Sequence, residues 1–264
     1  MEQFRDRRFA MGTGTIGLTF FAMFGTFFIA SQYLQFVLGY SPLEAGLATL
    51  PMAAMMIIFA PRSAGYAERW GRERVMAFGL TTVATGLFVM SFLSVDSPYL
   101  HLAIGLMLLG GGMSMTTAPA TGAVMESMPL SKAGVGSAVN DTAREVGGAL
   151  GVAVLGSILS SSYRSALDLD LSAAPPEAAA AIREGVGSAL AAAQQAPAGV
   201  GPQIADAAQR AFTDAMAPVF RCAAAVVLLT AGLVLRIMPS RGEVVTHEVG
   251  FEPNEDLELD PVTP

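Results

Sequence analysis

Long apolar stretches without charged residues alternate along this chain with short segments that carry charges. A helix needs about 20 mostly apolar residues to cross the ~30 Å hydrocarbon core of a bilayer, because it rises ~1.5 Å per residue. The pattern therefore predicts an all-α integral membrane protein with six transmembrane helices, at about residues 11–36, 42–64, 75–95, 99–124, 134–161 and 213–238. Glycines and prolines within these spans favour a bundle, in which neighbouring helices satisfy the freed backbone groups.

Two further segments differ from the spans in composition. Residues 163–212 are predicted to form an extracytoplasmic loop with an alanine-rich helix over Pro176–Ala193 and a second helical stretch over Gln203–Thr213. Prolines and glycines separate these stretches, so we expect a helical cap outside the membrane. The tail at 241–264 is acidic, contains prolines and has few apolar residues, which predicts a disordered cytoplasmic tail.

The positive charges are distributed unevenly between the two ends of the predicted spans. The short loops at 39–43 and 95–99 contain no lysine or arginine. Because lysine and arginine mark the cytoplasmic side, the sequence predicts a multi-pass protein of the cell (plasma) membrane with both termini in the cytoplasm. The residues that define the positive side are Arg5, Arg7, Arg8, Arg69, Arg72, Arg74, Lys132, Arg236 and Arg241.

The composition excludes several classes of protein. Apolar residues make up 53% and charged residues 14% of the chain, whereas soluble domains carry roughly 25% charged residues. A single cysteine, Cys222, and two histidines, His101 and His247, predict neither a disulfide framework nor a metal site. The few scattered basic residues and the net charge of −7 argue against nucleic-acid binding. We therefore expect no cofactor and no metal.

Enzymatic function is also not expected. The chain contains no GxSxG nucleophile elbow, no HExxH pair and no GxxxxGK[ST] phosphate-binding loop.

Three segments in order carry a family resemblance: 33–51 (YLQ, GYSPLEAGL and LP), 64–74 (AGYAERWGRER) and 134–151 (GVGSAVN, then Arg144 and GGALG). Together they resemble the major facilitator superfamily, in particular its fourteen-span drug:proton antiporter branch (EmrB/QacA type), over residues 4–240. Ala64 stands where the cytoplasmic-loop signature has a leading glycine, and Glu68 stands where it has an aspartate. The order of the segments corresponds to the C-terminal half of that branch.

The resemblance implies half of a major facilitator superfamily fold and a function in secondary active efflux. In such a transporter, inward proton flow would drive outward movement of amphipathic small molecules or drugs across the lipid bilayer. The family's path lies between two six-helix halves, so an N-terminal half from the same gene, a partner chain or a second copy would be needed. The alternative is a truncated half that transports nothing and acts as a membrane interaction or assembly module.

The fifth span carries the most informative polar pattern. Its polar and small residues at spacings of 4, 7, 8 and 11 share one helix face, which we expect to point into the bundle. These residues are Asn140, Arg144, Gly147, Gly148 and Gly151, the three glycines being candidates for helix packing. Asp141 and Glu145 lie beside this face, where either carboxylate would exchange a proton near Arg144.

The depth of Arg144 decides between two roles. Counted from Lys132, it lies ~18 Å along the helix, near the middle of the bilayer, where an unpaired charge costs at least ~2.5 kcal/mol. However, Val146–Tyr163 would itself nearly span the core at ~27 Å, which places Asp141–Glu145 at the cytoplasmic interface. The sequence leaves a proton or substrate role and a gate-stabilising role both open.

The remaining candidates lie on other spans. Gln32 and Gln35 near the outer end of the first span, and Thr117 beside Pro119 in the fourth, are candidates for the substrate path. A helix-end polar cluster and a hydroxyl bonded back to its own helix are the alternatives.

The loop after the second span is a candidate gate. Its charges lie on a tight turn between helices that we expect to end at Gly65 and Gly71, where they would hold one conformation and release it when the helices rock. A positively charged topology anchor is the alternative. The loop candidates are Gly65, Glu68, Arg69, Gly71, Arg72 and Arg74.

Overall fold

The computed structural model describes residues 6–129, 132–172, 174–197 and 199–238, and every regular element within these ranges is helical. The predicted disordered tail at 241–264 lies outside the described residues. The α-helices are α1 (Arg7–Gln32), α2 (Pro42–Leu47), α3 (Leu50–Trp70), α4 (Arg72–Met90), α5 (Tyr99–Glu126), α6 (Ala133–Ala166), α7 (Pro176–Glu184), α8 (Val186–Gln195) and α9 (Gly201–Ile237). A π-helical turn at Tyr33–Val37 extends α1.

Six of these segments are long and apolar enough to cross a membrane: Arg7–Val37, Pro42–Trp70, Arg72–Met90, Tyr99–Glu126, Ala133–Ala166 and Gly201–Ile237. The all-helical class and the count of six spans are thereby confirmed. One element differs from the expectation, because the stretch Gln203–Thr213 is not a separate helix. It forms the beginning of α9, which continues without a break into the last span. Pro218 lies inside this helix, and the helix accommodates it.

Local capping explains where the first helices begin. The Asp6 carboxylate accepts hydrogen bonds from the backbone N–H groups of Arg8 (2.7 Å) and Phe9 (3.4 Å), which starts α1. Ser41 and Glu44 form a capping box at the start of α2, where each side chain accepts the other residue's backbone N–H. Pro42 occupies the first turn, where its missing N–H costs nothing.

The spans pack in two rows. In the first row α3 contacts α5, α5 contacts α1, and α1 contacts α6; behind it, α4 packs on α5, α9 packs on α1 and α6, and α4 and α9 contact each other. Only 17% of the most apolar window of α3 and 33% of that of α6 are buried, against 67% for α5. The side of the first row that faces away from α4 and α9 is called the front face here, and α3 and α6 are the least buried spans at its edges.

Glycines bring α1 and α6 into backbone contact. A Cβ atom at Gly147 would lie 2.9 Å from the Cα atom of Gly17, and one at Gly151 would lie 2.9 Å from the Cα atom of Phe21. Only glycine permits so close an approach of two helices. The predicted face of the fifth span therefore packs through its glycines on the first span.

The two ends of the bundle differ. Arg8, at the start of α1, and Met238, just after α9, line the same cavity and so mark one terminal end of the bundle. At the opposite end, α7, α8 and the first turns of α9 form a helical cap. The Tyr163 hydroxyl donates a hydrogen bond to the Ile182 carbonyl oxygen (2.9 Å), which ties α6 to the cap. Gln209 donates to the Phe36 carbonyl oxygen (2.7 Å), which ties α9 to the end of α1.

The alanine-rich stretch Pro176–Ala193 forms two helices rather than one. Gly185 adopts an extended conformation between α7 and α8, and glycine has the lowest helix propensity after proline. The break lets α7 pack on α8 and α6 while α8 packs on α9, with Ile182, Val186 and Ala189 buried.

Candidate functional site

Arg144 lies at the centre of a polar cluster on the front face. Its side chain is 36% exposed, and its Nη1 atom is 3.9 Å from Oδ1 of Asp141. Its Nη2 atom donates to the Thr121 hydroxyl on α5 at 3.5 Å, and its guanidinium lies 5.3 Å from the centre of the Phe20 ring on α1. The cluster of Arg144, Asp141, Thr121 and Phe20 therefore joins α6, α5 and α1.

Several buried polar atoms close to this cluster in the sequence have no hydrogen-bond partner among the described residues. They include Nε of Arg144 and the amide oxygen of Asn140, one helical turn earlier on the same face of α6. The Thr13 hydroxyl, one turn before Gly17 on α1, is unpaired in the same way. An unsatisfied buried polar atom costs about 1–3 kcal/mol, so these atoms favour a bound water in the interior of the bundle.

The α1–α6 contact fixes the position of Arg144 along the bundle. Gly17 faces Gly147 and Phe21 faces Gly151. In both pairs the residue of α6 is numbered 130 higher than the residue of α1, so the same offset relates the other levels of the two helices. Arg144 therefore lies level with Gly14, which is about 10 Å along α1 from Arg7 at ~1.5 Å per residue.

The two carboxylates of the fifth span, Asp141 and Glu145, are exposed, whereas Asn140 is buried. The Asp141 side chain is 67% exposed beside Arg144. Glu145 is exposed and forms no ion pair with any residue in the described part of the chain. The structure therefore brings Asp141 to Arg144 and leaves Glu145 outside the cluster.

Thr117 lies one turn from Thr121 on α5. Its hydroxyl donates to the Met113 carbonyl oxygen (3.0 Å), so it satisfies its hydrogen bond within its own helix. Because residues four apart share a helix face, Thr117 and Thr121 line the same side of α5.

Gln32 and Gln35 do not reach the Arg144 cluster. The Gln32 amide donates to the Phe28 carbonyl oxygen (3.3 Å), and the Gln35 amide donates to the Ser31 hydroxyl (2.9 Å). Their level on α1 is about 30 Å from that of Arg144, at ~1.5 Å per residue. They form a polar cluster at the far end of the helix.

The loop between α3 and α4 is a single residue. Gly71 connects the two helices with φ of +92°, a left-handed value that glycine adopts without strain. The expectation that a helix ends at Gly65 was wrong, because α3 continues through Gly65 to Trp70. One glycine within a helix costs only about 1 kcal/mol, which the rest of α3 offsets.

The charges of this loop surround a cavity at the terminal end. Arg72 forms an ion pair with Glu126 at the end of α5, while Arg69 and Arg74 are exposed. The cavity has a volume of about 410 Å³, and the charged residues that line it are Arg8, Glu68, Arg72, Glu73 and Glu126. The ion pair therefore joins the α3–α4 turn to the next span across this cavity.

Sequence reasoning missed two residues of these sites. Glu126 is the only carboxylate between Asp96 and Asp141, a signal that was available. Phe20 had no signal, because nothing distinguishes it from the other phenylalanines of the first span.

Comparison with known proteins adds independent findings. The profile of the Major Facilitator Superfamily matches residues 1–152. The chain is 34% identical over 217 residues to the multidrug efflux pump LfrA of Mycolicibacterium smegmatis, a match that covers 82% of this chain and 43% of LfrA. It is 34% identical to the multidrug resistance protein Stp of Mycobacterium tuberculosis, covering 66% of this chain and 32% of Stp.

A third relative is matched over a longer part of this chain. The tetracenomycin C resistance and export protein of Streptomyces glaucescens is 31% identical over 247 residues, which covers 89% of this chain and 45% of that protein. The chain thus spans less than half the length of each of these relatives.

Proposed function

The chain belongs to the major facilitator superfamily, and we propose that it is one six-helix half of a proton-coupled exporter of amphipathic small molecules. Its relatives are named for multidrug efflux, multidrug resistance and export, which supports an exported drug-like substrate. The fourteen-span EmrB/QacA-type branch and the C-terminal position are part of the proposal, supported by the three sequence segments described above.

A second six-helix half would cover the front face. The edge helices α3 and α6 are the least buried spans, and unpaired buried polar atoms occur on α1 and α6. In a transporter with two halves, binding sites lie between them near the bilayer midplane. The second half would come from the same gene, a partner chain or a second copy, and it would enclose the Arg144 cluster.

The observation that carries the function is a half-buried arginine next to a carboxylate inside a membrane span. Intramembrane charges are costly and mark proton and substrate pathways. In the proposed mechanism Arg144 pairs with the Asp141 carboxylate. When Asp141 takes up a proton, Arg144 loses its counter-charge, and its contacts with Thr121 and the second half change. Asn140 and Thr117 would then face the substrate path.

The terminal end would be cytoplasmic, in the plasma membrane, because it carries the arginines of the α3–α4 turn. There the Arg72–Glu126 ion pair would hold the turn against α5 in one conformation of the transporter and release it in the other. Under this proposal Glu68, Arg69 and Arg74 take part in the same charged gate.

Dye efflux from proteoliposomes that contain the chain assembled with its second half, under an imposed pH gradient, tests the proposal. We expect Arg144→Ala and Asp141→Asn each to reduce gradient-driven efflux at least tenfold, whereas the control Arg210→Gln, in an exposed ion pair of α9, leaves it unchanged. Unchanged efflux in both cluster variants would remove the cluster from the mechanism.

A non-transporting assembly module is the second candidate, and the open front face is the observation that favours it. This candidate predicts stable association of the wild-type chain with a second six-helix half, but no gradient-driven efflux from vesicles that contain the assembled pair.

A further inference from the structure

The cap encloses a cavity that the proposed transport path does not use. Its volume is about 770 Å³, and it lies between α7, α8, the start of α9 and the segment that precedes α7. Six alanines line it, and their short side chains leave the space between the helices unfilled. Pockets of roughly 300–1,000 Å³ hold drug-sized molecules, so this cavity has room for one.

The walls of the cavity are apolar, with negative charge at the rim. Leu171, Ile182 and Ile204 contribute buried apolar surface. Every charged residue that lines the cavity within the described ranges is a carboxylate, namely Asp170 and Glu177. The arginines of this region, Arg164 and Arg183, do not line the cavity; they line a neighbouring groove along α7 that shares Glu177 with it. The cavity therefore has apolar walls and two carboxylates at its opening.

The Asp170 carboxylate is held in its charged form. Its Oδ1 atom accepts a hydrogen bond from the Ser172 backbone N–H at 3.0 Å. The hydrogen bonds from Ser172 lower the pKa of Asp170, which lies outside the spans. The lowered pKa favours the charged form of Asp170.

We propose that the cap cavity binds an amphipathic monocation, with its apolar body against Leu171, Ile182 and Ile204 and its positive charge between Asp170 and Glu177. The inference rests on the proposed function, because it assigns the exported class of compound a second site, on the side where it is released. An anion would be repelled by both carboxylates, and a neutral ligand would leave them without a role.

A fluorescence measurement on the full chain in lipid nanodiscs, without any gradient, tests this site. The only tryptophan, Trp70, lies at the opposite end of the bundle, so Trp70→Phe with Gln195→Trp places a single reporter at the cavity. We expect the cationic dye rhodamine 6G to quench this reporter saturably. Anionic fluorescein, of similar size, should not.

Matched charge variants then separate site binding from general attraction to an acidic cap. D170N/E177Q removes the two cavity carboxylates, whereas E184Q/D206N removes two cap carboxylates that do not line the cavity. We expect the first pair to raise the dissociation constant of rhodamine 6G about fivefold or more, as for two exposed ion pairs, and the second to change it less than about twofold. Ala192→Phe, which fills the cavity, should abolish saturable quenching.

Three results would overturn the cap site: unsaturable quenching, equal binding of both dyes, or equal effects of the two double variants. Circular dichroism of each variant checks that it is folded. Because the Arg144 cluster lies at the other end of α1, the same titration in an Arg144→Ala background should give the same dissociation constant. Loss of efflux in that background would therefore test the transport proposal alone.

Discussion

The glycine contact between α1 and α6 allows the sharpest test of the fold. Gly151→Ala adds a Cβ atom that would lie 2.9 Å from the Cα atom and 2.8 Å from the carbonyl carbon of Phe21. Ordinary contact for a Cβ atom begins at 3.4 Å. Since these neighbours are backbone atoms, and the Phe21 carbonyl oxygen would lie closer still, the two helices must separate by roughly 1 Å to accept the methyl group.

The cost can be worked out from two opposing effects. Overpacking of this kind destabilises by about 1–3 kcal/mol, while alanine in place of glycine favours a helix by about 1 kcal/mol. Gly232→Ala in α9 isolates the second effect, because nothing lies within 4 Å of a Cβ atom there. We therefore expect Gly151→Ala to be less stable than Gly232→Ala by about 1–3 kcal/mol.

Unfolding by sodium dodecyl sulfate, followed by far-ultraviolet circular dichroism, measures this difference. The separation also affects the site, because the contact between Arg144 and Thr121 is already 3.5 Å long and would be lost on a further shift. Equal stability of the two variants would refute the close packing of α1 on α6, and with it the depth assigned to Arg144.

Two further predictions concern the ends of the bundle. For the Arg72–Glu126 pair, a double-mutant cycle with Arg72→Gln and Glu126→Gln should give a coupling free energy of about 0.2–1 kcal/mol, because both side chains are partly exposed; additive effects in the same unfolding assay would show that the pair does not form. Tyr163→Phe removes the hydrogen bond to Ile182 and should destabilise the cap by about 1 kcal/mol. Faster proteolysis within 167–200 would report this, and unchanged cleavage would show that the bond does not hold the cap.

Part of the candidate site follows from sequence because it lies on one helix. The spacing of Asn140, Arg144 and Gly147 sets a common face by helical geometry alone. The partners of that face come from elsewhere in the chain: Thr121 from α5 and Phe20 from α1. No local pattern indicates which residues of other spans will meet Arg144, so these contacts required the structure.

In the α3–α4 turn and in the cap, too, the sequence predicts the local features and the structure is needed for the contacts between elements. The charges of the α3–α4 turn are evident in the sequence, but their connection to Glu126 depends on how α3, α4 and α5 pack. The alanine-rich composition of the cap predicts helices. The cavity exists because α7 packs on α8, and α8 on α9, with too little side-chain volume to fill the space between them.

Sequence alone determined the all-helical class and the six spans, because a bilayer imposes a local requirement on each apolar segment. It also determined which residues share a face of the fifth span, since 3.6 residues complete a turn in any α-helix. Tertiary structure decided the two-row packing, the level of Arg144 along the bundle and the cap cavity. These depend on close contacts between residues far apart in the chain, where a single methyl group changes the distance between helices.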